Sequence, residues 1–366
     1  MKLRTFAMER WQSAYEHHVE YNLSESGVHP VTVAEIGVSA EDLLKERLGY
    51  TQTNGTERFR SLAASLYKEA AERNVLATIG AAEANFLSVL WLAEPGDEAV
   101  VVLPNYMQIH GLAESLGCRV VPVWLRYENG WMPDPDEIAK KAGARTKFIA
   151  VCNPNNPTGV NFGFDVVRAI AEIASKNGCW ILADEVYRGA ERSAEVTPSF
   201  WGYYPRTLVT HSLSKAYGAP GLRIGWVLGP AEVIEELWGM ADYTKIAPAA
   251  LSDRIGCRVL EQRERLLARA RNLLNSNWPI VQRWLGERPG MFDCVEPRAG
   301  AISLIRYQYA IHSLELAERL RIEKSTLIVP GDHFLMDACF RLGYGGEASC
   351  LETGLKRLGE LLDGLP

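Results

Sequence analysis

The sequence predicts an α/β protein with a mainly parallel, doubly wound sheet and a smaller α+β domain towards its C-terminal end. From about residue 45 to 240, short apolar runs rich in β-branched residues alternate with helical patterns. Several runs are continuously apolar, as strands covered on both faces are, and the alternation indicates βαβ units. After about residue 250 the alternation stops. We therefore expect a large domain over residues 45–245 and a small domain made of residues 1–44 plus 246–366.

The first element is a predicted N-terminal helix. Met8, Trp11, Tyr15 and Val19 recur at helical spacing, so they form one apolar face. We expect this helix to pack on the small domain or over a cleft.

The remaining elements follow from the apolar runs and the charged helical stretches. The predicted strands of the large domain are residues 99–103, 119–125, 147–152, 179–184, 207–212 and 223–228. In the small domain, a long charged helix from 251 to about 285 precedes short strands near 291–294, 301–306 and 326–329, with helices near 313–322 and 350–363. Ligands of open α/β sheets bind at the carboxyl ends of the strands, so polar residues directly after these strands are the candidate site residues.

Composition excludes several classes of protein. An apolar content of 47% and a charged content of 23% are ordinary for a globular protein, and a net charge of −6 predicts neither a nucleic acid nor an anionic membrane as partner. The seven cysteines are scattered and never spaced C-x-x-C, so neither a metal site nor a disulfide framework is indicated. Neither a membrane span nor the apolar core of a signal peptide is present. We expect a cytoplasmic enzyme that acts on small molecules.

The most informative residue is Lys215, which lies among small residues just after the strand predicted at 207–212. Burial at a strand end should lower the pKa of this lysine and make its amine a nucleophile towards an aldehyde. Ser212, Ser214 and Arg223 nearby are groups that bind a phosphate ester. A small molecule with both an aldehyde and a phosphate is pyridoxal phosphate. The alternative is a surface lysine in a Gly/Pro-rich loop, and the motifs upstream favour the cofactor.

Two further motifs directly follow predicted strands. Residues 153–159 read Asn-Pro-Asn-Asn-Pro-Thr-Gly, a backbone fixed by two prolines and a glycine, and Asn156 could offer its amide to a ring hydroxyl. Asp184 ends a buried strand and needs a cationic partner, which a protonated pyridine nitrogen would supply. Tyr187 could then reach the ring oxygen. The alternatives are a structural turn for the first motif and a helix N-cap for Asp184.

Two weaker candidates complete the cofactor site. Small residues around Ala81 and Ala82 open a predicted helix, so backbone N–H groups there could face a phosphate. Tyr106 follows the first predicted strand, and its ring could stack on a flat heterocycle. A small-residue helix start and an exposed loop tyrosine are the respective alternatives.

Together these motifs resemble the fold-type I pyridoxal phosphate enzymes, in particular the class I/II aminotransferases, in order and approximate spacing along essentially the whole chain. The resemblance implies that Lys215 forms the internal aldimine, that Asp184 binds the pyridine nitrogen, and that Asn156 and Tyr187 bind the ring oxygen. It also implies a ring stacked on Tyr106 and a phosphate bound by Ala81, Ala82, Ser212, Ser214 and Arg223.

The resemblance extends to the substrate and to a partner subunit. Arg341 matches the arginine that binds the substrate α-carboxylate, for which its planar fork is suited, although an arginine in a surface ion pair is the alternative. Gly27 would bring backbone close to the same carboxylate, and Asn156 would contribute to it. Tyr50 matches a tyrosine that reaches the phosphate of a neighbouring subunit, which implies a homodimer.

The reaction stays open between alternatives. We expect an aminotransferase that moves an amino group from an α-amino acid to a 2-oxo acid. Residues 23–30, 214–226 and 242–243 are similar to capreomycidine synthase and related enzymes of arginine derivatives, so a cyclase, an arginine oxidase or hydroxylase, or a β/γ-eliminating lyase is the alternative. A non-catalytic pyridoxal-binding regulator is a third, which the absence of an added basic DNA-binding segment disfavours. Glu16, Glu20 and Glu25 could meet a cationic substrate or could be helix-surface acids.

Overall fold

The computed structural model describes residues 3–365, which form three β-sheets surrounded by helices. The helices are α1 (Ala7–Tyr15), α2 (Ala40–Leu44), α3 (Glu57–Ala64), α4 (Gly80–Leu92), α5 (Gln108–Ser115), α6 (Pro135–Lys141), α7 (Phe164–Asn177), α8 (Ala231–Ala241), α9 (Ala250–Glu261), α10 (Arg263–Gly286), α11 (Ser313–Lys324) and α12 (Ala348–Asp363). The strands are β1 (Tyr21–Asn22), β2 (Val75–Thr78), β3 (Glu98–Leu103), β4 (Arg119–Trp124), β5 (Thr146–Cys152), β6 (Trp180–Asp184), β7 (Thr207–Ser212), β8 (Gly225–Leu228), β9 (Phe292–Cys294), β10 (Ile302–Tyr307), β11 (Thr326–Leu327), β12 (Val329–Pro330) and β13 (Cys339–Gly343).

The central sheet has seven strands in the order β2-β8-β7-β6-β5-β3-β4. β4, β3, β5, β6 and β7 are parallel neighbours, whereas β8 runs antiparallel to both β7 and β2. The predicted α/β fold with a mainly parallel sheet is confirmed, and all six predicted strands of this sheet are present. The sequence analysis missed β2, the four-residue strand at the sheet edge.

Both faces of the central sheet are buried, which explains its continuously apolar strands. Along β3, Val100 points into the hydrophobic cluster that contains Val167 of α7, and Val101 points into the cluster that contains Leu87 of α4. All four side chains are fully buried. Burial of each such side chain stabilises the folded state by about 1.5–3 kcal/mol relative to an exposed side chain. The central sheet is therefore a stable scaffold for the loops at its carboxyl edge.

The smaller sheet is antiparallel, in the order β12-β13-β10-β9. Helix α12 packs against α10 and α11 beside it. A separate parallel pair, β1 with β11, connects the N-terminal segment to this part of the chain. The boundaries of the two expected domains stay a prediction.

Three expectations about elements are wrong in detail. The long helix expected from 251 to 285 is two helices, α9 and α10, because Gln262 leaves helical geometry (φ −101°, ψ 16°) and its side chain donates to Ile36 O at 2.7 Å. The strand expected at 326–329 divides between two sheets, as β11 and β12. The strand expected from Arg223 begins at Gly225, because Arg223 has a positive φ of 48°.

The N-terminal helix is present, and its apolar face packs on the rest of the protein as expected. Met8 and Trp11 are buried, and Trp11 Nε1 donates to Ile328 O at 2.9 Å. The helix ends at Tyr15, so Val19 packs against the core from outside it.

The carboxyl ends of β5, β6 and β7 meet at one edge of the central sheet. Cys152 pairs in register with Asp184, and Asp184 pairs with Thr210. The loops after these three strands carry Asn156, Tyr187 and Lys215, so the sheet brings the predicted motifs together. No helix within residues 3–365 is long and apolar enough to cross a membrane.

Candidate functional site

A cavity of about 870 Å³ opens at the carboxyl edge of the central sheet, and the segments 9–30 and 346–350 form its other walls. It is lined by every predicted site residue except Tyr50 and Arg341, namely Gly27, Ala81, Ala82, Tyr106, Asn156, Asp184, Tyr187, Ser212, Ser214, Lys215 and Arg223. Residues that are far apart in the sequence therefore share one cavity.

Lys215 lines this cavity three residues beyond the end of β7, with its Nζ 3.3 Å from Glu25 Oε1. Burial lowers the pKa of Lys215, but Glu25 and Tyr187 raise it, and the net shift is upward. The lowered pKa expected from the sequence is therefore wrong for this structure. The ammonium of Lys215 in turn holds the pKa of Glu25 at about 2, although burial opposes that shift.

Gly27 is in close contact with the lysine segment. A Cβ at this position would lie 3.3 Å from Ser214 O and 3.6 Å from Lys215 Cδ. The N–H groups of Ser26 and Gly27 both donate to Glu25 Oε1, at 2.8 and 2.9 Å. The N-terminal segment thus holds the carboxylate that contacts Lys215.

Asp184 is a buried carboxylate at the last position of β6. It accepts hydrogen bonds from Asn85 Nδ2 at 3.0 Å and from the Val186 N–H at 3.1 Å. Burial raises the pKa of Asp184, and no lysine, arginine or histidine of residues 3–365 forms a salt bridge with it. A bound ring with a protonated nitrogen would supply the missing cation.

Asn156, Tyr187 and Arg341 meet at the next part of the wall. Arg341 on β13 is fully buried, and its Nη1 donates to Asn156 Oδ1 at 3.1 Å. Its Nη2 donates to Ser24 O at 2.8 Å and to Gln12 Oε1 at 3.3 Å, so Arg341 lies directly behind the cavity wall. The hydroxyl of Tyr187 is buried and has no hydrogen-bond partner among the described residues, although Tyr187 lines the cavity. A ligand oxygen there would satisfy it.

The N-terminus of α4 forms the opposite end of the cavity. Ala81 and Ala82 lie in its first turn, and the Nη1 of Arg223 is 3.4 Å from Ser214 Oγ. Gly80 has a positive φ of 71°, and a Cβ on it would lie only 2.6 Å from Arg223 Nη2. The guanidinium, the hydroxyls and the helix N-terminus together suit an anionic group.

The two other tyrosines predicted for the site, Tyr106 and Tyr50, occupy different environments. Tyr106 lines the cavity, and its hydroxyl donates to Glu9 Oε1 at 2.7 Å. Tyr50 is 88% exposed and does not line the cavity of its own chain.

Several cavity residues were missed by the sequence analysis. Glu9 and Gln12 on α1, Asn85 on α4, and Glu347 before α12 all touch the cavity or a residue that lines it. Of these, only the α1 residues could have been found from a sequence pattern, because Glu9, Gln12 and Glu16 have the spacing of one helix face. Glu20, considered with Glu16 and Glu25, lies outside the cavity and pairs with Arg357 at 2.7 Å.

The residues present fit pyridoxal phosphate. The cavity combines an anion-binding end, a buried carboxylate, a tyrosine hydroxyl and a lysine amine, which match the phosphate, ring nitrogen, ring oxygen and aldehyde of that cofactor. Within residues 3–365 the carboxylate has no cationic partner and the hydroxyl has no hydrogen-bond partner. Among the residues that the structure describes, histidine, cysteine and acidic side chains form no group of three or more that could hold a metal ion.

Comparisons with known proteins give the same result. The family model "Aminotransferase class I and II" matches residues 23–358. Capreomycidine synthase of Streptomyces vinaceus is 29% identical over 363 residues, which cover 97% of this chain and 93% of that protein. A crystal structure of a PLP-dependent aminotransferase from Streptococcus suis has a TM-score of 0.94 and 32% identity and covers 100% of this chain and 99% of its own. The PLP-dependent cyclase OrfR has a TM-score of 0.90 and 26% identity and covers 99% and 98% of the two chains.

Proposed function

This chain belongs to the class I and II aminotransferases, which are pyridoxal phosphate enzymes, and from that premise we propose that it transfers an amino group from an α-amino acid to a 2-oxo acid. The observation that carries the proposal is the convergence of Lys215, Asp184 and Tyr187 on one cavity. These three groups are what cofactor attachment, protonation of the ring nitrogen and binding of the ring oxygen require.

The protein groups would hold the cofactor at each of its ends. Ala81 and Ala82 at the α4 N-terminus, with Ser212, Ser214 and Arg223, would bind the phosphate. Asp184 would keep a proton on the ring nitrogen, because a buried carboxylate without a cation gains most from one. Asn156 and Tyr187 would bind the ring oxygen, and Tyr106 would cover the ring face. When bound, pyridoxal phosphate supplies an electron sink for the substrate carbon that loses its proton.

Lys215 would move the proton. When it is not bonded to the cofactor, the Nζ of Lys215 would accept the proton of the substrate Cα and then donate it, as general base and general acid. Glu25 lies 3.3 Å from Nζ and stabilises the protonated amine between those two steps.

Arg341 would bind the substrate α-carboxylate. The guanidinium is buried, and its Nε has no hydrogen-bond partner among residues 3–365, so it can still donate to a carboxylate. Because Nη1 bonds Asn156 Oδ1, the proposed carboxylate contact and the proposed ring-oxygen contact are directly coupled. Gly27 leaves room beside Lys215 for the same carboxylate.

The active unit would be a homodimer. Large apolar side chains are exposed on two adjoining segments, with Leu48 and Tyr50 on one and Tyr243 on the other at 82%, 88% and 94% exposure. The segments are in contact, since Thr51 Oγ1 donates to Pro248 O at 3.1 Å. A second copy of the chain would cover this surface and bring Tyr50 to its phosphate site.

The similarity to capreomycidine synthase and to the cyclase OrfR supports a second candidate function. The same residues could remove the Cα proton in a cyclase, an arginine oxidase or hydroxylase, or a β/γ-eliminating lyase. These reactions differ from transamination in the fate of that proton or of the neighbouring bond, and they need no 2-oxo acid.

A single-turnover experiment distinguishes the two candidates. The holoenzyme is mixed with an amino donor in the absence of any 2-oxo acid, and the cofactor is extracted and identified. Transamination converts one cofactor per site to pyridoxamine phosphate, and a 2-oxo acid restores the original spectrum. Repeated turnover without an oxo acid, with a cyclised, oxidised or eliminated product, would assign the second function instead.

A further inference from the structure

The cavity is acidic outside the residues proposed to bind the cofactor. Four glutamates line this part, namely Glu9, Glu16, Glu25 and Glu347. The lysine and arginine among the lining residues are Lys215 and Arg223, and both are already assigned to the cofactor. A substrate side chain in this region therefore meets carboxylates, with His17 and His29 as its nearest basic neighbours in the wall.

Helix α1 turns its polar face towards the cavity rather than towards solvent. Glu9, Gln12 and Glu16 are three and four residues apart, so they follow one face of the helix and continue past its last residue. The adjoining face carries Met8 and Trp11 into the core, which fixes the rotation of the helix. Two carboxylates are thus held towards a shared cavity.

Two of the four glutamates already have partners. Glu9 accepts from the Tyr106 hydroxyl, and Glu25 binds the Lys215 ammonium and two backbone N–H groups. Within residues 3–365, Glu16 and Glu347 form salt bridges only with histidines whose side chains are exposed, at 3.4 Å from His17 and 3.8 Å from His29. Burial, with repulsion from Glu25 and Glu9, raises the pKa of Glu16, as expected for a carboxylate that lacks a strong cationic partner.

The same cavity is shaped for a ligand by groups unrelated to these glutamates. The buried hydroxyl of Tyr187 has no hydrogen-bond partner among the described residues, and Tyr187 lines the cavity. Its volume of about 870 Å³ is near the upper end of the roughly 300–1,000 Å³ typical of small-molecule sites, so a cofactor and a long substrate side chain fit together.

On the basis of the proposed function, we propose that the amino-acid substrate carries a cationic side chain, a guanidinium or a primary ammonium, and that Glu16 and Glu347 bind it. Such a group donates charge-assisted hydrogen bonds to carboxylates that otherwise lack a strong partner. A carboxylate side chain would be repelled by the same wall. Glu16 and Glu347 are then specificity residues, and Arg341 anchors the other end of the substrate.

The test compares amino acids that differ in side-chain charge. The concentration dependence of the single-turnover rate of the holoenzyme gives an apparent Kd for L-arginine and L-citrulline, for L-lysine and L-norleucine, and for L-aspartate. At least one cationic amino acid should bind about tenfold or more tightly than its neutral counterpart. Added salt should lower that ratio and leave the apparent Kd of the neutral amino acids unchanged.

Variants locate the effect. Glu16→Gln and Glu347→Gln, singly and together, should reduce the cationic preference, and the double variant should bring the ratio close to one without changing cofactor content. Glu195→Gln, at an exposed position outside the cavity, is the matched control and should keep the preference.

Two results separate this inference from the function on which it rests. If neutral or acidic amino acids convert the cofactor with an apparent Kd equal to or lower than that of the cationic ones, the inference is overturned and the aminotransferase activity stands. If none of the amino acids converts the cofactor, the proposed function fails and the inference fails with it.

Discussion

Arg341 is the residue whose replacement most directly tests how the substrate is anchored. Arg341→Lys keeps the charge but loses the planar fork that can bind both a carboxylate and Asn156 Oδ1. We expect kcat/KM for the amino donor to fall by the equivalent of about 2–4 kcal/mol, with cofactor content unchanged. Arg73→Lys, at an exposed arginine outside the cavity, is the control. An unchanged kcat/KM in Arg341→Lys would place the carboxylate site elsewhere.

Glu185 should make stability depend on pH. Its carboxylate is fully buried and accepts from Ser199 Oγ and the Phe200 N–H, both at 2.8 Å, and burial raises its pKa to about 7. The folded state thus keeps a proton that the unfolded chain releases near pH 4.5. The contribution of protonated Glu185 to the free energy of unfolding is fully present below pH 4.5 and is lost as the pH rises to 7.

The isosteric variant Glu185→Gln isolates that contribution. The free energy of unfolding of this variant, relative to that of the unsubstituted protein, should increase between pH 5 and 7, by on the order of 2–3 kcal/mol in total. Urea unfolding across this range measures the difference. A relative stability that does not change with pH would show that Glu185 is ionised in the folded state at all these pH values.

At the scale of elements, the N-terminus of α4 should be the main determinant of phosphate binding. Gly80→Ala would place a Cβ 2.6 Å from Arg223 Nη2 and displace the guanidinium from the helix terminus. We expect the Kd of pyridoxal phosphate, measured by its absorbance, to rise about tenfold or more.

The control for Gly80→Ala is Gly130→Ala. Gly130 has a similar positive φ of 61°, and a Cβ there meets no atom within 4 Å, so it carries the backbone strain without the contact. Equal cofactor affinities in the two variants would mean that the position of Arg223 does not matter for the phosphate.

The elements that were predicted correctly are those with a strong local signal. The strands β3 to β7 are short apolar runs bounded by polar loops, and their type follows from their length, their β-branched residues and their alternation with helical patterns. β2 was missed because four residues directly before a helix give too short a pattern. The break at Gln262 was missed because it depends on a contact with Ile36, more than two hundred residues away in sequence.

The same distinction applies to the site. Residues at or just beyond the end of a strand, such as Asp184 and Lys215, could be predicted because sheet geometry gathers strand ends at one edge. The direction of the pKa shift of Lys215 could not be predicted, because the upward shift depends on Glu25, which contacts Lys215 from the N-terminal segment. Gln12, Asn85 and Glu347 enter the site only through tertiary packing.

At the scale of the whole molecule, Tyr50 tests the proposed dimer. If its hydroxyl contacts the phosphate in the second copy, Tyr50→Phe should weaken retention of pyridoxal phosphate about tenfold while the protein stays folded and dimeric. Tyr243→Phe, at another highly exposed tyrosine, is the comparison. Sedimentation that shows a fully active monomer would rule out the shared site. The cytoplasmic location expected from the sequence stays a prediction.

The most direct test of the whole account is the identity of the lysine that carries the cofactor. Borohydride reduction of the holoenzyme, followed by mass spectrometry of its peptides, should find one phosphopyridoxyl group per chain on Lys215, and none in Lys215→Ala. The competing amine is Lys245, whose side chain is buried beside Glu83 and whose pKa burial lowers. A label on Lys245, or on any lysine other than Lys215, would contradict the proposed site and the function built on it.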